Sequence, residues 1–304
     1  MITFINHDVG SGIEYIGNIF LNWTKELYLT SVISNQNPPI LIYKELIEQN
    51  PNIIILNEYY ERTLEAISFY KSSFPKTKII FINHSSKLVD NKKNDRNIAI
   101  RELYNKIDVK IGLNSKGGKD VIDFEYMPVN PEIYKIKTSW KDRKKDFIIL
   151  GNINNQKISS KFIKKNKVKM DCYGINNGDY EVFNNDKNLK YISKLEQEKV
   201  PEVLNEYKYA IFPFGGKEIF SISILQSILC GTIPIVLNDS GNNWTKWTDG
   251  FVYLSDNVNT FCNNIEKLSK NTEILNFENV RISAVEKFNY LNLKEKYQKI
   301  IKTL

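Results

Sequence analysis

The stretch from Tyr209 to Gly241 constrains the fold more tightly than any other part of the chain. Tyr209–Phe212 is an apolar run of the length of a buried strand, and Pro213–Lys217, with Gly215 and Gly216, reads as a turn. From Glu218 to Cys230 apolar residues recur at helical spacing, Gly231 stops that helix, and Ile233–Leu237 is a second buried strand. Strand, Gly-rich turn, helix and strand make a βαβ unit. Its turn lies at the carboxyl end of a strand, the edge at which open α/β sheets bind ligands. The helix N-terminus behind the turn presents free N–H groups and a positive dipole end, which suits a phosphate.

The same grammar runs through the chain. Ile2–Asn6 is a strand that enters a turn holding Asp8, Gly10 and Gly12, followed by a helix from Ile13 to about Trp23. Ile53–Leu56, Lys78–Asn83, Val109–Leu113, Phe147–Leu150 and Lys169–Tyr173 read as further strands, and Glu58–Ser72 and Val200–Tyr207 as helices. Gly151 and Gly174 follow two of these strands. The chain has two histidines, His7 and His84; both follow strands and so belong to one edge of a parallel sheet. Helices are expected at Val258–Leu268, Glu273–Lys287 and Leu291–Lys302.

At 304 residues the length suits two domains, drawn at residues 1–138 and 139–286 with a final helix over 287–304. A hydrophobic share of 42% with 25% charged residues is that of a soluble globular chain, and no apolar run is long enough to cross a bilayer. The amino terminus lacks the pattern of a signal peptide, and Cys172, Cys230 and Cys262 have no metal-like spacing, so the expected compartment is a reducing cytoplasm. The net charge of +7 suits a polyanionic partner, nucleic acid or an anionic membrane. Lys87, Lys92, Lys93, Arg96 and Arg101 fall in a polar segment after His84, and Lys141 and Arg143 in the basic stretch Lys135–Lys145, read as the interdomain linker. These are the candidates for phosphate contacts.

Taken together, these segments resemble the GT-B retaining glycosyltransferases. Glu218 stands at the first position of their Glu-x7-Glu signature, Gln226 at the second, and Cys230-Gly231-Thr232-Ile233-Pro234 completes it. Gly12-Ile13-Glu14 is similar to the segment that opens the family's first domain, and Pro128–Tyr134 to the one that leaves it. Lys157 follows Gly151 at the family's spacing, with Asn152 where the family has Arg. The resemblance implies an α/β chain of GT-B architecture: two Rossmann-like domains facing across a cleft, the last helix crossing back to the first. It implies a nucleotide-sugar donor, UDP-glucose or a UDP-pentose, and no metal, in keeping with the missing Asp-x-Asp motif. His84 and Glu218 would then flank the donor sugar, Lys157 would meet the leaving diphosphate, and Asp8 would be the candidate for a general base. Donor contacts fall to Gly12, Gly151, Tyr173, Gly174, Gly215, Gly216, Lys217, Ser221 and Gln226.

For the acceptor, Cys230–Pro234 with Ser240-Gly241-Asn242, Lys78–Ser85 and Phe124–Pro128 look like stretches of the bacteriophage DNA glucosyltransferases. This resemblance implies transfer to 5-hydroxymethylcytosine in duplex DNA, with the target base flipped from the stack. Two other readings stay open: a cell-envelope glycosyltransferase making capsule, lipopolysaccharide or a protein glycan, and a GT-B shell that binds without catalysis.

Overall fold

The computed structural model describes residues 1–7, 12–58, 61–84, 105–113, 121–124, 126–151, 160–174, 186–213, 222–238, 251–270 and 277–304. The chain divides into two compact units, Met1–Pro128 with Leu291–Leu304, and Val129–Tyr290.

The first unit is a parallel six-stranded sheet. Its strands are β1 (Ile2–Asn6), β2 (Thr30–Ser34), β3 (Ile53–Asn57), β4 (Lys78–Asn83), β5 (Val109–Leu113) and β6 (Val121–Phe124), in the order β2-β1-β3-β4-β5-β6. β1 and β3 are buried along their whole length because helices cover both faces. One face packs Ile5, Ile54, Leu56, Ile79 and Phe81 against Ile42 and Leu46 of helix α2 (Pro39–Gln49) and Ala66, Ile67 and Tyr70 of α3 (Glu61–Ser73). Side chains alternate along a strand, so Asn6 and Asn57 lie on the opposite face with Phe4, under helix α1 (Gly12–Lys25). The last helix, Tyr290–Lys302, packs there too: Phe20 meets Tyr297 at 4.7 Å and Phe124 at 6.0 Å, and Thr24 Oγ1 lies 2.9 Å from the Tyr297 hydroxyl. Each such aromatic pair adds about 0.5–1.5 kcal/mol beyond its buried area. The crossing back of the final helix to the first unit therefore rests on a buried aromatic cluster.

The second unit repeats the plan with β7 (Lys145–Leu150), β8 (Met170–Tyr173), β9 (Leu189–Ser193), β10 (Tyr207–Phe212), β11 (Ile233–Leu237) and β12 (Tyr253–Ser255). All pair in parallel, in the order β12-β11-β10-β7-β8-β9. The central βαβ unit is present as β10, a helix described over Ile222–Leu229, and β11. Gly231, at φ 73°, turns the chain out of that helix in a left-handed conformation that glycine adopts without strain.

The division falls ten residues earlier than the sequence boundary at 138. Residues 129–138 belong to the second unit, held there by Asn205, whose Oδ1 accepts the N–H groups of Lys137 (2.6 Å) and Thr138 (3.2 Å) while its Nδ2 donates to Lys135 O (3.0 Å). The stretch Lys135–Lys145 is thus a fixed part of the second unit rather than a linker.

Candidate functional site

In an open parallel sheet the crevice for a ligand opens where the strand order reverses, outside the carboxyl ends of the strands. The first unit reverses between β1 and β3, the second between β7 and β10.

At the first reversal the strands end in amides. β1 ends on Asn6, β3 on Asn57 and β4 on Asn83, followed by His7, Glu58 and His84. All but His84, which is half-buried, are buried. Asn57 Nδ2 donates to Asn6 Oδ1 (2.8 Å) and to Ile13 O (3.1 Å), Asn6 Nδ2 donates to Asn18 Oδ1 (2.8 Å), and Asn57 Oδ1 lies 2.6 Å from His84 Nε2. The α1 backbone comes so close that a Cβ on Gly17 would sit 2.1 Å from Asn57 Nδ2 and 2.2 Å from Asn6 Oδ1. Only glycine leaves the amides room. Glu58 takes a left-handed conformation (φ 62°), and its carboxylate accepts the backbone N–H of His84 at 3.0 Å. Asn35 Nδ2 lies 3.2 Å from His7 Nδ1. Burial, reinforced by neighbouring His7, pushes the His84 imidazole down to about 3, so it is neutral at physiological pH. Gly12 is the exposed first residue of α1.

Beside the second reversal, Gly151 closes β7, which flanks it, and Gly174 closes the next strand, β8, at φ 142° and 150°. Gly151 N donates to Tyr173 O (3.1 Å) and Gly174 N to Ser193 O (3.0 Å). The two tips touch: a Cβ on Gly174 would lie 1.6 Å from Gly151 O. Tyr173 is half-buried beside Tyr207, with ring centroids 6.4 Å apart. Gln226 is buried on the helix behind β10 and donates Nε2–H to the Tyr134 hydroxyl at 2.7 Å, which also accepts from Gln197 Nε2 at 2.6 Å. One end of the Gln226 amide is thereby committed to the protein.

Arg143, expected among the phosphate-contacting cations, turns inward. Arg143 is 4% exposed, and its guanidinium donates to Tyr207 O (2.6 Å), Cys230 O (2.5 Å) and Thr232 Oγ1 (2.9 Å). Burial lowers its pKa to about 10, so it stays charged while it joins the chain just ahead of β7 to the start of β10 and to the turn that leads into β11. A group with its donors spent on buried oxygens offers nothing to a phosphate. Lys135, Lys137, Lys141 and Lys144 are exposed. Asp8, Lys87, Lys92, Lys93, Arg96, Arg101, Lys157, Gly215, Gly216, Lys217, Glu218 and Ser221 lie outside the described residues.

The amide cluster escapes a reading of the sequence, although a signal is present: ITFIN, IIILN and KIIFIN are apolar runs that each close on Asn. Among the described residues no group of His, Cys, Asp and Glu could hold a metal ion, and no helix is long and apolar enough to cross a membrane. All three cysteines are buried and reduced, and burial pushes each thiol up, that of Cys230 to about 12, which leaves no thiolate nucleophile.

No protein-family profile and no curated protein matches the sequence. Solved structures match the fold along its whole length. Anabaena Alr3699/HepE in complex with UDP-glucose superposes with a TM-score of 0.71 at 14% identity, over 100% of this chain and 99% of that one. Sucrose-phosphate synthase from Thermosynechococcus elongatus gives 0.73 at 10% identity, over 99% and 98%. A glycosyltransferase from Rickettsia africae gives 0.68 at 11%, over 100% and 99%. The chain has the α/β fold of the GT-B glycosyltransferases.

Proposed function

We propose that the chain is a glycosyltransferase that moves a sugar from a UDP-sugar, glucose or a pentose, to a hydroxyl acceptor with retention of configuration. The observation that carries this reading is the glycine pair Gly151 and Gly174 at the tips of β7 and β8, beside the second unit's strand-order reversal, in a fold matched end to end by a protein in complex with UDP-glucose. Glycines at such tips let a ligand approach the backbone closely. On the second unit, the base would lie by Tyr173 and Gly174, and a ribose hydroxyl would donate to Gln226 Oε1. Lys157, Lys217, Ser221 and the N–H groups of Gly215 and Gly216 would meet the diphosphate, and Glu218 the sugar. A cation and fixed N–H dipoles at the leaving diphosphate stabilise the charge that develops as the glycosidic bond breaks. In front-face attack the leaving phosphate takes the acceptor proton; if a protein base is used, Asp8 is the candidate. On the first unit, Gly12 and the neutral His84 would face a sugar hydroxyl.

For the acceptor we favour 5-hydroxymethylcytosine in duplex DNA. Its support is the net charge of +7, the exposed Lys135, Lys137, Lys141 and Lys144, and the basic residues Lys87, Lys92, Lys93, Arg96 and Arg101. A cell-envelope acceptor is the second reading. It is favoured by exposed apolar side chains around β2 and α2, namely Tyr28, Leu29, Val32, Ile40, Leu41 and Ile47, a surface that suits a lipid interface. The test offers purified protein labelled UDP-sugars with duplex DNA containing 5-hydroxymethylcytosine, unmodified duplex, or anionic liposomes carrying envelope lipids. Label in the modified duplex alone supports the DNA acceptor. Label in the lipid fraction replaces it with the second reading.

A further inference from the structure

We propose that Asn57 is a positioning residue that fixes His84 as the Nε2–H tautomer, so that His84 Nδ1 is a bare acceptor reserved for a sugar hydroxyl. The identity of the hydroxyl rests on the sugar-transfer reading; the tautomer rests on hydrogen-bond geometry within the first unit alone.

The direction of every hydrogen bond follows from one backbone carbonyl. Ile13 O can only accept, so the Asn57 atom 3.1 Å from it is the amide nitrogen. The second N–H of that nitrogen goes to Asn6 Oδ1, and Asn6 in turn donates to Asn18 Oδ1 on α1. The other end of the Asn57 amide is therefore oxygen, and it faces His84 Nε2 at 2.6 Å. A carbonyl oxygen has no proton to give, so Nε2 carries the hydrogen. A neutral imidazole has only one N–H, and Nδ1 is left as a lone pair.

That lone pair is buried and has no hydrogen-bond partner among the described residues. An unmet buried acceptor next to a strand-order reversal calls for a donor from a ligand. Its polarity also selects the ligand group. A phosphate oxygen needs donors and finds none on a bare nitrogen, whereas a hydroxyl can give its proton to it. Among the described residues, the charged and titratable groups around the ring are His7 beyond β1 and the Glu58 carboxylate, which holds the His84 backbone N–H. The low pKa of His84 agrees with a ring that stays neutral through the physiological range. Gly17 is part of the device, since any larger residue would push the Asn57 amide off its two acceptors.

The experiment is long-range ¹⁵N–¹H NMR on protein labelled at histidine. The chain has two histidines, and His84→Gln assigns the pair. The expected spectrum shows His84 with protonated Nε2 and bare Nδ1 from about pH 5 to 8. A proton on Nδ1, in the other tautomer or in an imidazolium, overturns the proposal without reference to any activity. UDP-glucose is then added. An upfield move of the Nδ1 resonance supports the hydroxyl acceptor; an unmoved Nδ1 in a protein whose other resonances report binding overturns that half. A spectrum that ignores UDP-glucose altogether removes the UDP-sugar reading and the hydroxyl with it, while the tautomer result stands. Asn57→Asp adds a role-specific readout. A carboxylate against Nε2 draws a second proton onto the ring, so sugar transfer should fall mainly in kcat and recover as pH rises. If that variant does not fold, the wild-type spectrum still decides the tautomer. A flat pH profile in a folded Asn57→Asp protein overturns the positioning role.

Discussion

Gln226 donates its amide N–H to the Tyr134 hydroxyl across 2.7 Å, joining the helix behind β10 to the segment that opens the second unit. Both residues are almost fully buried, and the phenol oxygen already accepts from Gln197. The amide is what the site requires: a carboxylate at position 226 would bring charge and no N–H into a dry position. Gln226→Glu should therefore lower stability by about 1–3 kcal/mol, and Tyr134→Phe, which strands two amide donors, by a similar amount. Thermal denaturation checks both, and a Gln226→Glu variant that melts no lower than wild type contradicts the argument.

Gly174 is set by its neighbour as well as by its own backbone. A methyl group there would sit 1.6 Å from Gly151 O, at a φ of 150° that side chains rarely adopt. Gly174→Ala should cost about 1–3 kcal/mol from backbone strain and separate the tips of β7 and β8. Calorimetric titration with UDP is the check: affinity should fall at least tenfold in protein that remains folded, and unchanged affinity removes Gly174 from the donor side.

Arg143 and Lys141 are two residues apart and should behave as opposites. Arg143→Met leaves the oxygens of Tyr207, Cys230 and Thr232 without their donor, a loss on the order of 3 kcal/mol, yet it removes no charge from the surface. Lys141 is exposed. If duplex DNA is bound as proposed, Lys141→Ala should reduce the dependence of log affinity on log salt by about 1. Arg143→Met should leave that slope unchanged, as a salt titration of duplex binding would report.

The central strands are legible in the sequence because parallel strands covered on both faces read as unbroken apolar runs; Ile53–Leu56 and Ile233–Leu237 are examples. Thr30–Ser34, Val121–Phe124 and Leu189–Ser193 do not read as strands. Each lies at the edge of its sheet and is partly exposed, so no apolar run marks it. Helix α3 reads as starting at Glu58, but Glu58 belongs to the strand end, where its carboxylate holds His84. Arg143 looks like one more cation in a basic stretch, since composition does not show which charge turns inward. The Asn6–Asn57–His84 chain needs the sheet order itself, because it joins residues that are remote in sequence and adjacent only across β1, β3 and β4.

The depressed His84 pKa sets a pH dependence. In the unfolded chain the ring binds a proton below about 6.5, while in the folded chain it stays neutral down to about 3. Between these values the unfolded state holds more protons, so stability rises with pH. The contribution is complete above about 6.5 and is lost as pH falls toward 3. Urea denaturation of wild type and His84→Gln at about pH 7 and about pH 5 isolates it. Wild type should lose more stability on acidification than the variant, and parallel losses would contradict the neutral ring.

UDP release is the direct readout of UDP-sugar chemistry on this fold. Purified protein is given UDP-glucose and a panel of UDP-pentoses, with and without duplex DNA containing 5-hydroxymethylcytosine. The expected result is UDP release from one of these donors, accelerated by the modified duplex, with the sugar recovered on the DNA. No UDP release from any donor, with either nucleic acid or envelope lipid as acceptor, would contradict it.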